Sequence, residues 1–197
     1  GLDWLLLQFD GFKPSASIKL RGTDLIDKKT NVLTNAEKLD LKTHLIVMYS
    51  KGINDDECYT IIKYAIERKN IFAVNFYPES LTGRFEDNSS TNKDVIKSIE
   101  KYSEGKICYD DFVKCKKIWN FLYKIIKIPL LKQNLCTNPI FLFKHGSDIY
   151  PINRLFELKF ILKNPIFSIK KIFKIIKIAK WNSNPTKDFL YLNIEKF

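Results

Sequence analysis

Hydrophobic positions come in short runs between polar breaks over the first part of the chain and take helical spacing over most of the rest. Residues 2–9 are almost wholly apolar and end at Asp10-Gly11, the pattern of a strand buried on both faces. Lys19-Leu20-Arg21-Gly22 reads as a loop. Residues 25–39 give a weak, polar helix with Val32, Leu33, Ala36 and Leu39 as its inner stripe. Residues 43–49 are a second β-favouring run, stopped by Ser50-Lys51-Gly52. Asn54 is then expected to cap a helix whose first turn is acidic at Asp55, Asp56 and Glu57. Ile61, Ile62, Ala65 and Ile66 form the apolar stripe of that helix. Residues 71–76 make a third strand, stopped by Pro78, which has no N–H to give to a ladder. Strand, helix and strand predict a βαβ unit with parallel strands and a right-handed crossover. Chemistry in such units sits at the carboxyl ends of the strands. Here those ends are residues 50–52 and 75–84, both rich in polar groups.

Residues 85–93 are charged and turn-prone, and a helix follows with Val95, Ile96 and Ile99 inside. Residues 118–131 read as an aromatic, lysine-studded helix broken at Pro129. Residues 140–143 and 149–152 pair as a hairpin about a turn at 145–148. Residues 155–162 are helical, and Asn164-Pro165 opens another helix with Ile166, Ile169, Ile172, Phe173 and Ile176 on one side. Lys170, Lys171, Lys174, Lys177 and Lys180 line its other side. Such a helix either docks its apolar side on a core or lies on an anionic membrane surface.

Composition adds a sign. Thirty-three Lys and Arg against twenty-two Asp and Glu give +11, which favours an anionic partner such as lipid headgroups, phosphorylated substrates or nucleic acid. The lysines are dispersed and no nucleic-acid motif accompanies them, so nucleic acid is the weakest of these. No apolar run reaches the roughly 18–20 residues that span a bilayer. The four cysteines, Cys58, Cys108, Cys115 and Cys136, contain no C-x-x-C pair and no secreted disulfide framework. A reducing cytoplasm, with the protein free or peripheral to the membrane, is the expected location. A chain of 197 residues holds one domain or part of a larger one. Gly1 followed at once by a strand reads as a fragment.

Several segments resemble the radical SAM superfamily, and among its members the archaeal branch that includes the tetraether lipid synthases. Lys51-Gly52-Ile53-Asn54-Asp55 is similar to that family's Lys-Gly-Val-Asn-Asp turn after the fifth barrel strand. Val74-Asn75-Phe76-Tyr77-Pro78 with Thr82-Gly83-Arg84 resembles its Val-Asn-Phe-Gln-Pro…Thr-Gly-Arg sixth strand and loop, with Tyr77 in place of Gln. Leu7-Gln8-Phe9-Asp10-Gly11 resembles its fourth strand, and Leu20-Arg21-Gly22 its Leu-Arg-Gly segment. The run from Asp94 to Glu100, then Asp111-Phe112, and the order of Cys136, Leu142-Phe143 and Pro151-Ile152-Asn153-Arg154 also follow the family. The prolines that follow Asp-Phe there are absent here, and Cys115 is displaced. The resemblance covers residues 2 to about 160 and is most specific over 44–84.

The resemblance implies an α/β fold: the last three strands of a partial radical SAM (β/α) barrel over residues 1–85, then a helical region with the hairpin over 86–197. It implies S-adenosyl-L-methionine (SAM) as cofactor, cleaved at a [4Fe–4S] cluster to a 5′-deoxyadenosyl radical that activates C–H bonds of a lipid or related substrate. Gln8, Asp10, Lys51, Asn75 and Arg84 are the candidate cofactor-binding residues. Glu79, in the same polar loop as Arg84, is a weaker candidate to face SAM or substrate. Asp10-Gly11 also reads simply as a turn, and Arg21 either grips a carboxylate or phosphate or is solvated. His44, at the far end of its strand, reads as structural, and Met48 as a core residue.

The family's Cys-x-x-x-Cys-x-x-Cys signature does not occur in the sequence: Cys108 and Cys115 are seven positions apart and the other gaps are longer. The chain alone is therefore expected to be inactive, with the cluster ligands upstream, in a missing amino-terminal half barrel or a complementing chain. Cys115 and Cys136 are either remnants of an auxiliary cluster or isolated thiols. The rival reading is a non-catalytic membrane- or anion-binding protein from a truncated gene. The sheet edge formed by residues 2–9 is expected to be open unless a partner covers it.

Overall fold

The computed structural model describes residues 1–79, 89–126, 138–145, 147–156 and 189–194. Within them the elements run β1 (Trp4–Gln8), α1 (Pro14–Arg21), α2 (Ile26–Lys38), β2 (Lys42–Tyr49), α3 (Cys58–Ile66), β3 (Ile71–Pro78), α4 (Asn92–Tyr102), α5 (Tyr109–Ile126), β4 (Ile140–His145), β5 (Asp148–Pro151) and β6 (Phe189–Ile194). The six strands form one sheet in the order β1-β2-β3-β6-β4-β5. β1, β2, β3 and β6 are mutually parallel, while β4 runs antiparallel to both β6 and β5. This is an α/β fold consistent with a partial barrel.

Strand alternation decides what each face does. One set of in-register residues, Leu45, Val47, Val74, Phe76, Leu192 and Ile194, is fully buried in the core cluster together with α3, α4 and the start of α5. Ile61, Ile62 and Ala65 of α3 and Val95, Ile96 and Ile99 of α4 supply the facing side, as their spacing predicts. Each fully buried Leu or Ile there contributes about 1.5–3 kcal/mol. The other set contains Trp4, Leu6, Gln8, His44, Ile46, Met48, Asn75 and Tyr77, and its members on β1 and β2 are exposed or half-buried. Among the described residues no helix covers it. β1 is the sheet edge, and Trp4 and Leu6 stand 49% and 54% exposed on it.

Four local expectations are corrected. Lys19, Leu20 and Arg21 are helical: Pro14 starts α1 with a pre-set φ, and Gly22 ends it at φ 79 in the left-handed region. Val32 and Leu39 are exposed, and only Leu33 and Ala36 of that stripe are buried. Asn54 does not cap a helix with its side chain; it bonds other loops instead. Pro78 belongs to β3 as its last residue, and the ladder runs one step further through Glu79 N–H to the Tyr49 carbonyl at 2.9 Å. The hairpin forms as expected, but it joins the same sheet through β6, a strand the sequence analysis does not assign. Residues 127–137, Cys136 among them, and 157–188, which hold the helix expected from 164 onward and most of that expected over 155–162, lie outside the described residues.

α4 shows how a local signal fixes an end. Thr91 accepts from Asp94 N–H at 3.2 Å while Asp94 accepts from Thr91 N–H at 2.9 Å, a reciprocal cap. The Thr91 hydroxyl, which donates to the same carboxylate, holds the Asp94 carboxyl below its usual pKa, helped by the Thr91 N–H. Thr91→Ala is expected to cost about 1 kcal/mol, read as a lower urea midpoint with an unchanged slope.

Candidate functional site

The polar groups gather where β1, β2 and β3 end. Asp10 follows β1 directly and is 3% exposed. All four of its lone-pair positions are used. Arg21 Nε donates to Oδ2 at 2.9 Å and Nη2 to Oδ1 at 3.1 Å, Lys29 Nζ lies 3.4 Å from Oδ2, and Met48 N–H donates to Oδ1 at 2.9 Å. A buried carboxylate is tolerated only with such partners. Arg21 extends the network outward: Gln8, in the amide orientation that satisfies both groups, accepts from Arg21 Nη1 at 3.1 Å and also from Nη2. Two cations on one carboxylate leave this corner net positive, and Gln8 is exposed beside it.

The loop after β2 clamps the loop after β1. Asn54 is 1% exposed. Its Nδ2 donates to the carbonyls of Asp10 and Met48, both at 2.8 Å, and its Oδ1 accepts from Ser50 N–H at 2.9 Å. Glu57, also buried, accepts from the backbone N–H groups of Phe12 at 2.8 Å and Lys13 at 3.1 Å. α1 has no side-chain cap of its own. A carboxylate at its amino end suits the helix dipole. Lys13 also pairs with Asp56 across the same gap.

Lys51 lies on the surface of this mouth. Its side chain is 69% exposed, with Nζ 3.9 Å from Asp94 Oδ1, and its N–H reaches Ser90 Oγ at 3.4 Å. Gly52, in the left-handed region at φ 77, makes the turn. Asn75 sits lower, in register with Ile46 and, through it, with Gln8. Gln8 and Asn75 therefore share one row of the uncovered face, two strand spacings or about 10 Å apart. Asn75 Nδ2 donates to Tyr77 Oη at 3.2 Å. Arg84 lies outside the described residues. Gln8 and Asp10 are thus joined through Arg21, Asn75 shares their face, and Lys51 stands at the rim.

At the opposite, amino end of the strands, a cavity of about 360 Å³ is lined by Trp4, His44, Phe72 and Tyr191, with Asp3 and Lys42 also on its walls. Burial lowers the His44 pKa, opposed by its contact with Asn75. His44 is structural here, its ring tilted against Phe72 at 5.6 Å.

A second polar cluster ties α5 to the turn after β5. Asp111 is fully buried and accepts from Asn153 Nδ2 at 2.7 Å, Arg154 Nη2 at 3.2 Å and Cys108 N–H at 2.9 Å, while Cys115 Sγ lies 3.3 Å from Asn153 Oδ1. Burial pushes the Cys115 thiol up to about 12 and the Cys58 thiol well above its ordinary value. Thiols raised in this way are poor nucleophiles. Among the described residues no three His, Cys, Asp or Glu side chains group to hold a metal, so these residues by themselves do not assemble a [4Fe–4S] site.

Sequence reasoning left Arg21 undecided and missed Asn54 and Glu57 as tethers. Their acidic and amide character read as ordinary helix-start chemistry, and nothing local marks a partner more than forty positions away.

No protein-family model matches the chain. A 7,8-dihydro-6-hydroxymethylpterin dimethyltransferase of Methanocaldococcus jannaschii is 28% identical over 188 residues, covering 88% of this chain and 37% of that protein. The chain thus spans little more than a third of the length of the curated relative it matches. The similarity supports a relationship at the breadth of the radical SAM superfamily and does not reach the tetraether lipid synthase branch. Among the described residues no helix is long and apolar enough to cross a membrane.

Proposed function

We propose that this chain is the carboxyl-terminal part of a radical SAM enzyme and supplies part of its SAM-binding mouth. The observation that carries this reading is the convergence of polar groups at the carboxyl ends of three parallel strands, the end at which α/β barrels and doubly wound sheets place their ligands. The similarity to the dimethyltransferase supports it from outside the fold. SAM, when bound, supplies radical chemistry at an unactivated C–H bond. The chain's residues bind and orient. Gln8, exposed beside a guanidinium with one N–H still unused, suits ribose hydroxyls or the carboxylate of SAM. Asp10 has no acceptor position left and acts through Arg21, holding it at the mouth. Lys51 offers an exposed positive charge at the rim and Asn75 a polar contact lower on the uncovered face; Arg84, outside the described residues, is a further candidate cation.

The cluster ligands come from the remainder of the barrel, either upstream in the same polypeptide or on a complementing chain that closes on the β1 edge. The substrate is a pterin ring, the class in the relative's name, or a lipid tail, the class implied by the tetraether-like segments. Anaerobic reduction of the chain together with a polypeptide carrying Cys-x-x-x-Cys-x-x-Cys tests the reading. 5′-Deoxyadenosine is expected from the mixture and not from the chain alone; none from either would refute it.

The net charge of +11 favours one alternative, a non-catalytic binder of anionic membranes. It predicts salt-sensitive cosedimentation with phosphatidylserine vesicles and no SAM binding in any combination.

A further inference from the structure

Glu79 carries a buried carboxylate that the described fold does not use. It is 3% exposed, and its Oε2 is buried with no hydrogen-bond partner among the described residues. The backbone around it is fixed: its N–H donates to Tyr49 and its carbonyl accepts from Ser90 N–H, both at 2.9 Å. The described cations of the mouth are committed elsewhere, Arg21 and Lys29 to Asp10, and Lys51 toward Asp94. Asn75 Oδ1 on β3 and His44 Nε2 on β2 are also bare, but those two side chains are hydrogen-bonded neighbours. Among the described residues Glu79 has no such neighbour. A buried acceptor without a donor costs about 1–3 kcal/mol, and more when it is charged. A fold keeps that cost where a ligand removes it. Glu79 stands one residue beyond β3, at the same strand ends as Asp10 and Lys51.

We propose that Glu79 receives the donor edge of the substrate, a planar ring that presents a ring N–H beside an exocyclic amino group, as the 2-amino-4-oxo edge of a pterin does. This rests on the radical SAM reading and names the substrate class of that site. A ring N–H beside an amino group gives the bare Oε2 its missing charge-assisted bond and sets the ring plane against the carboxylate. A lipid tail brings no donor and would leave the burial cost standing. SAM brings isolated donors in its ammonium and adenine amino group and one adjacent pair in its ribose hydroxyls, so the SAM titration decides between the two.

Glu79→Gln separates these cases, because it keeps the shape, removes the charge and turns one acceptor into a competing donor. The wild-type chain and the variant are compared, each reconstituted with the cluster-bearing polypeptide. Three probes are titrated: 6-hydroxymethyl-7,8-dihydropterin by its fluorescence, the 2-oxo analogue that lacks the amino group, and SAM. The variant is expected to weaken pterin binding roughly 10- to 100-fold. SAM affinity should be unchanged, and the 2-oxo analogue should bind equally weakly to both proteins. The ligand-free variant should melt at or above the wild-type temperature, since a bare buried charge has been removed. Unchanged pterin affinity overturns the proposal. So does a lower melting temperature, which would mean that the carboxylate already meets a donor within the protein. Loss of SAM affinity alone moves the donor to SAM and also overturns it. Wild-type protein that binds SAM but no pterin defeats this inference alone; wild-type protein that binds neither defeats the radical SAM reading with it.

Discussion

Replacing Asp10 by alanine is expected to lower stability by about 3–5 kcal/mol, the usual cost of removing one member of a buried ion pair. Three donors lose their acceptor at once: the Arg21 guanidinium, the Lys29 ammonium and Met48 N–H. Asp10 itself is 3% exposed, and the side chains of Arg21 and Lys29 are 22% and 13% exposed. Water therefore reaches the two freed cations only in part, and screening does little to soften the loss. Asp10→Asn keeps an oxygen for Met48 N–H and should lose less. Urea unfolding of both variants checks this ordering. A D10A loss below about 1 kcal/mol, the range of surface ion pairs, would mean that the network is solvated and sets no geometry. Because Asp10 holds Arg21, D10A should also weaken SAM binding in the reconstituted protein, while Asp56→Ala, which removes only the exposed pair to Lys13, should not.

Gly11→Ala should have a comparable effect for a different reason. Gly11 has φ 139, a region essentially closed to other residues, and a Cβ there would lie 2.0 Å from Glu57 Oε2 and 2.7 Å from Glu57 Cδ. A flexible carboxylate normally yields to such a clash. Glu57 does not, because it is buried and holds Phe12 N–H and Lys13 N–H. The alanine must therefore bear backbone strain of about 1–3 kcal/mol and also break the cap of α1, about 1 kcal/mol more. Glu57→Ala should remove most of the clash term, so a double-mutant cycle of G11A with E57A should show coupling of about 1 kcal/mol or more. Additive losses would place the strain in the backbone alone.

These two residues also show what the sequence made legible. The β2–α3–β3 unit is readable because its signals are local: an alternating run, a glycine turn, an i, i+3, i+4 stripe and a second run. α1 is misread although Pro14 and Gly22 mark its ends, because the short helix has no acidic first turn and the carboxylate at its amino end, Glu57, comes from a different loop. β6 carries a readable alternation, with Leu190, Leu192 and Ile194 buried, but its place between β3 and β4 is a long-range pairing that no local pattern encodes. Gln8 and Asp10 are identifiable as strand-end polar residues. Whether Asp10 meets a ligand or holds Arg21 depends on counting its donors, and those come from positions 21, 29 and 48. Glu79 is visible only as one more acid in a polar loop; the bare, buried oxygen that distinguishes it is a property of the folded chain.

Hydrogen–deuterium exchange of the reconstituted protein, with and without SAM, tests the central claim most directly. The account predicts protection at the carboxyl ends of the strands, in residues 8–13 and 50–57 and around Glu79, with residues 3–4, 42–44 and 72 at the amino ends unchanged. Protection confined to the amino-end cavity, or none at all, would contradict it.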